Sequence, residues 1–210
     1  MWRENNQTHK HSRSTNFMIK VISLFEKPAD PNGVYVNTTS RSSDDWSLQL
    51  SPFYLGPCDL YAGFTAKKME NAWQYSKVYD CHLDENGDPS FEYFKWAYEG
   101  WKKPFGVRYP MGKGAIPKYS FWDNQKYDYI SARKNIYAPL YAKAVVQTNA
   151  YKQLLEISQS DKNLYLMDFD AYKHQELNMT LTDVMNNPKK KMGHAFVLMM
   201  LLTKDVALSI

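Results

Sequence analysis

The run AFVLMMLL, from Ala195 to Leu202, limits the fold more than any other feature of the chain. A helix that is apolar all round has no face to offer water and must be enclosed by other elements. The run is also far shorter than the roughly 20 residues needed to span a bilayer, so it reads as a buried helix and not as a membrane segment. The rest of the chain has to wrap around it. With 210 residues, 44% hydrophobic and 23% charged, there is material for one such core.

The elements that would build this core follow from periodicity and punctuation. Trp2 to Asn16 is polar and aperiodic, which predicts a disordered extension over 1–17 ahead of a domain over 18–210, with Met18 as an alternative start. VISLF (21–25) and VYVNTT (34–39) read as strands around an ADPNG turn. WSLQLSPFYLG (46–56) alternates as a strand would until Pro52. The spacing predicts helices over 66–79, 91–106, 127–158, 181–187 and 192–203, with Pro139 dividing or kinking the third. LYLMD (164–168) is a further strand. The expected class is α+β, a single compact and mostly helical domain with a small β-sheet.

Charge and cysteine usage exclude some functions. Net charge is +4, and Arg3, Lys10, Arg13 and Lys20 against Glu4 place most of it in the first twenty residues. The remaining body is near neutral, which argues against a broad surface that tracks nucleic-acid phosphates. Cys58 and Cys81 lack metal-ligand spacing, so no metal and no cofactor is expected. The polar start carries no signal peptide, and a cytoplasmic location is expected, in a host cell if the chain is phage-encoded.

Several short motifs suggest chemistry. In MENAWQYSK (69–77), Glu70, Gln74 and Lys77 share one helical stripe beside Trp73. Such a stripe is the ordinary solvated face of a surface helix, or else the wall of a polar site. Phe53 and Tyr54 follow Pro52 and could line a pocket mouth. Arg133 lies among tyrosines, a pattern suited to phosphates and stacked rings. Asp168 and Asp170 emerge from an apolar strand, and His194 opens the most apolar helix. MGKGAIPK (111–118) lacks P-loop spacing, and no nucleophile elbow or zinc-protease motif occurs.

Taken in chain order, LSPF (50–53), MENAWQYSK, LYLMD and GHAFVLMML (193–201) resemble the NADAR (YbiA-like) superfamily. The chain differs from that pattern in several places. Pro52 and Asn71 replace the usual Asn and His, DFDAYKH stands in place of W-G-x-G, His194 and Ala195 interrupt G-x-N, and the segment between Asp80 and Tyr127 is long. The resemblance is to a divergent member of the kind found in phage or mobile elements. It implies an N-glycosidase fold and a nucleotide, ADP-ribosyl or ribosylamine substrate, including ADP-ribosylated nucleic acid or protein.

On that resemblance Glu70 is the catalytic acid, supporting an oxocarbenium-like state or activating water. Gln74 and Lys77 match the helix positions that follow it. Residue chemistry then suggests that Lys77 holds a phosphate or keeps Glu70 ionised, and that Trp73 or Tyr54 stacks on a ring. Asp168 and Asp170 would hold ribose hydroxyls, Arg133 would meet a diphosphate, and His194 would bind ligand or cap its helix. Three alternatives stand beside this reading. They are a binding module that has lost catalysis, an ADP-ribosyltransferase (faintly suggested by VYVNTTSRS and Arg41), and a nucleic-acid-binding or structural phage protein.

Overall fold

The computed structural model of the protein describes residues 17–208, so the expected N-terminal extension lies outside the described residues except for Phe17. Strands β1 (Ile19–Ser23) and β2 (Val34–Asn37) both run parallel to β8 (Leu164–Asp168), which lies between them. The ADPNG segment therefore does not close a hairpin. β8 is buried at alternate positions, Leu164, Leu166 and Asp168.

Against this sheet packs α8 (His194–Thr203), which also contacts α5 (Ala138–Val145). Every residue of α8 from His194 to Met200 is buried. The enclosure expected of the apolar run is thus provided by a sheet on one side and a helix on the other. A single cluster of buried hydrophobic residues runs from Val21 to Met200, and the fold is α+β. Among the described residues, no helix is long and apolar enough to cross a membrane.

Three expected elements differ. Trp46–Gly56 is not a strand: it forms a short helix, α1 (Asp45–Leu48), followed by turns. Its buried residues are Ser47, Leu50, Ser51, Pro52 and Leu55, a spacing of three and four and not the alternation of a strand. The helix expected over 66–79 is only α2 (Met69–Gln74). Ser76 Oγ donates to the Trp73 carbonyl, and the backbone of 76–78 is then taken up by strand pairing as β5 (Lys77–Val78). The third is the long helix over 127–158, which comprises α4 (Tyr129–Ala132), a π-helical segment (Arg133–Tyr137), α5, and α6 (Asn149–Ser158). Pro139 does not divide it. The ladder widens in the turn before Pro139, where the missing N–H would otherwise leave a gap. The true break is at Thr148, whose hydroxyl caps α6 by accepting from Tyr151 N–H.

The segment between Asp80 and Tyr127 contains α3 (Phe91–Trp101) and a hairpin of β6 (Tyr119–Trp122) and β7 (Gln125–Tyr127), with β6 paired to β5. Asp123 and Asn124 both have positive φ, as a two-residue hairpin turn requires, and this Asp-Asn pair was a legible but missed signal. The remaining pair, β3 (Cys58–Asp59) and β4 (Thr65–Ala66), leads into α2. The stripe Phe91, Phe94 and Tyr98 faces outward, while Tyr93, Ala97, Gly100 and Trp101 face the core. Gly100 is needed there, since a Cβ would meet the Tyr75 ring at 2.0 Å. The short helix α7 (Leu181–Asn186) begins with a capping box formed by Thr180 and Asp183.

If α8 organises the core, Leu198→Ala should lower the unfolding free energy by about 2–5 kcal/mol. Urea unfolding would check this, and a loss below about 1 kcal/mol would show a core that collapses readily around the cavity.

Candidate functional site

The carboxyl ends of β2 and β8 open into a cleft of about 630 Å³. Ligands of open parallel sheets commonly sit outside the carboxyl ends of the strands, and this volume suits a small-molecule site. Thr39, Ser40 and Arg41 enter it after β2, and Asp168, Phe169 and Asp170 after β8. Helix α2 forms one wall, and the loop carrying Arg108 and Tyr109 forms another.

Glu70 is buried in this wall, with only 7% of its surface exposed. Its backbone N–H donates to the Pro52 carbonyl and that of Met69 to the Leu55 carbonyl, so the LSPF turn satisfies the start of α2. Gln74 Nε2 donates to Glu70 Oε1 at 2.8 Å, and Lys77 Nζ donates to Gln74 Oε1 at 2.7 Å. The lysine can only donate, so it fixes the orientation of the amide and aims the NH₂ at the carboxylate.

The expected stripe is therefore a hydrogen-bonded relay, although Lys77 lies on β5 and not on the helix. Its ammonium also sits 4.8 Å from the centroid of the Trp73 ring. Trp73 in turn packs on Tyr137 with centroids 5.2 Å apart.

Lys77 does not keep Glu70 ionised in the ordinary carboxylate range. Burial pushes the Glu70 carboxyl up to about 7, against the opposing pull of Gln74, Lys77 and Arg108. Burial likewise brings Lys77 down to about 8, opposed by Glu70 and assisted by Lys191. Desolvation outweighs attraction at both ends of the relay. Tyr137 lies in the field of Asp168 and Glu70, and burial raises its phenol well above the usual range, so it stays a protonated donor.

Asp168 is committed to the scaffold. Its Oδ2 accepts from Ala195 N–H at 3.0 Å and lies 3.1 Å from His194 Nδ1, while Oδ1 accepts from Asp170 N–H at 3.3 Å. His194 Nε2 donates to the Thr38 carbonyl at 2.7 Å. The anion at the N-terminus of α8 is thus Asp168 itself. Gly193 permits this approach, since a Cβ there would meet Asp168 Oδ2 at 2.2 Å.

Two expected binding residues do something else. Arg133 is 2% exposed. Its Nη1 donates to the carbonyls of Val184, Met185 and Asn187, and its Nη2 to Lys190 O and Tyr129 Oη. It caps the end of α7, and its terminal nitrogens are spent on the protein and not left for a diphosphate. Tyr54 is exposed and does not line the cleft; Phe53 does.

Residue typing alone missed Arg108, Tyr137 and Asn71. Asn71 Nδ2 donates to Lys103 O and Phe105 O, and its Oδ1 accepts from Val107 N–H. This buried asparagine fixes the loop that presents Arg108, which lies 3.6 Å from Asp170. The Asn in MENAWQ was the available signal, since a buried amide needs several partners.

A family model matches residues 23–198, and the chain belongs to that family, described as a family of unknown function (DUF6939). No curated protein and no solved structure shows significant similarity to it.

A buried acid with a raised pKa costs stability once ionised. The folded protein holds this proton more tightly than the unfolded chain between pH 4.5 and about 7, so the group's contribution falls as pH rises through that window. Glu70→Gln, which keeps the Gln74 contact, should therefore stabilise the protein at pH 8 by about 1–3 kcal/mol, with no gain near pH 4. Thermal unfolding at both pH values checks this, and a loss of stability at pH 8 would instead mark Glu70 as one half of a stabilising ion pair.

Proposed function

We propose that the cleft hydrolyses an N-glycosidic bond in a nucleotide, ADP-ribosyl or ribosylamine substrate, with Glu70 as the group that handles the attacking water. The observation that carries this is a carboxyl buried in a cleft wall with its pKa near neutrality. A general base works best when its pKa lies near the working pH, and both of its forms are then populated. The order of LSPF, the Glu70 helix, the acidic strand and the last helix, and its resemblance to the NADAR superfamily, supports the same chemistry.

In this mechanism Glu70 takes a proton from water as the oxygen bonds to the ribose C1 carbon and the C–N bond breaks. The leaving nitrogen receives the proton that Glu70 has taken. Positive charge on the ribose is greatest midway, and the carboxylate beside it is favoured there. Gln74 holds Glu70 through the amide that Lys77 orients. Trp73 and Phe53 offer rings in the cleft that Glu70 lines, and the Tyr137 phenol offers a donor. Asp168 and His194 are positioning residues: they hold the ends of β2 and β8 against α8. The ADP-ribosyltransferase alternative would use the same acid with a different acceptor, and the binding-module alternative would leave it idle.

Purified protein should release a free base or a ribosyl product from at least one of NAD, ADP-ribose, ADP-ribosylated DNA or protein, and ribosylamine nucleotides. Glu70→Gln should lower that rate by about 10²-fold or more, the scale of a lost acid–base group. Because Glu70 acts ionised and Lys77 acts charged, kcat/KM should rise through pH about 7 and fall above about 8. These two limbs belong to the linked pair. Turnover that survives in Glu70→Gln, or ligand binding by both proteins without any turnover, would remove the glycosidase reading.

A further inference from the structure

We propose that Arg41 and Arg108, which meet on the ring of Phe169, form a subsite for a phosphate or diphosphate group, and that Asp170 occupies Arg108 until that group arrives. The Arg41 guanidinium lies 5.1 Å from the Phe169 ring centroid and that of Arg108 lies 6.0 Å from it. Arg108 is also 5.5 Å from the Tyr109 ring. Two like charges drawn to one ring repel each other unless an anion joins them. A guanidinium drawn to an aromatic ring can still present its N–H edge to a bidentate acceptor, and phosphate matches that fork.

The partners of these residues support the assignment. Among the described residues, the Arg41 side chain has no ion pair and donates no hydrogen bond, although it lines the cleft. The single carboxylate contact of Arg108, to Asp170, is long at 3.6 Å, and both side chains are partly exposed. Such an exposed pair is worth little and yields readily to a better acceptor. The platform is set by the fold: Phe169 follows directly on Asp168, Arg41 follows β2, and Asn71 holds the loop that brings in Arg108. Lys77 and Lys191 also line the cleft and add two further cations, so a ligand with two phosphates could run from the ring towards Glu70. The placement of that second phosphate rests on the glycosidase reading; the arginine subsite does not.

Calorimetry at fixed ionic strength, with inorganic phosphate, inorganic pyrophosphate and ADP-ribose as probes, tests this directly. Arg41→Gln and Arg108→Gln should each weaken pyrophosphate binding by roughly tenfold or more, as expected for a lost charge-assisted contact. Asp170→Asn should tighten it. Arg41 and Arg108 are surface residues, so their variants should keep the wild-type circular dichroism. Pyrophosphate binding that is absent in the wild type, or as tight in either arginine variant as in the wild type, would overturn the subsite. Weaker binding in Asp170→Asn would overturn the role given to Asp170. Neither result bears on the catalytic role of Glu70, which product release tests separately.

Discussion

The carboxylate of Asp168 accepts the Ala195 N–H in the first turn of a helix that has no polar face, and the same oxygen meets His194. His194 then donates to Thr38, at the end of β2. Three elements distant in sequence are joined through two buried side chains, Asp168 and His194: the central strand, the neighbouring strand and the core helix. The apolar run of α8 supplies the drive for burial but no direction. Asp168, with Gly193 clearing the space beside it, supplies the registration. The cleft opens at this junction, so its shape follows from how the core is locked.

Beside this junction the protein buries Glu70 at a cost. Carboxylates lose their hydration on burial, and here the relay through Gln74 to Lys77 recovers only part of the loss. Core packing around α8 has to offset the remainder. An arrangement that spends stability on one acid in a cleft wall is more typical of a chemical site than of a scaffold. The contrast with Arg133 is instructive, because it too is buried and charged, yet five acceptors satisfy it, and its role is structural.

Much of this was legible from the residues. The enclosed helix, the LYLMD strand and the first two strands follow from apolar runs, whose spacing survives in the structure. The stripe of Glu70, Gln74 and Lys77 does come together, but by a route that helical spacing did not describe, because Ser76 ends the helix and β6 claims the backbone after it. Parallel pairing of β1 and β2 with β8 is long-range, and local pattern carries no trace of it. Arg133 and Tyr54 looked like binding residues by type alone; the carbonyls that claim Arg133 lie more than fifty residues away, and Tyr54 is turned to the surface outside the cleft. Arg108 and Asn71 were passed over for the same reason. Their meaning lies in a loop placed by a single buried amide.

The claim on which the account turns is that Glu70 changes protonation near neutral pH inside the folded cleft. Carbon-13 NMR of glutamate side-chain carboxyls, with Glu70→Gln to assign the resonance, measures this without knowledge of the substrate. The account predicts that this carboxyl titrates with a midpoint near 7, well above the ordinary glutamate value of 4.5. A Glu70 midpoint at or below 4.5 would show that the relay holds the carboxylate ionised, and would contradict the account.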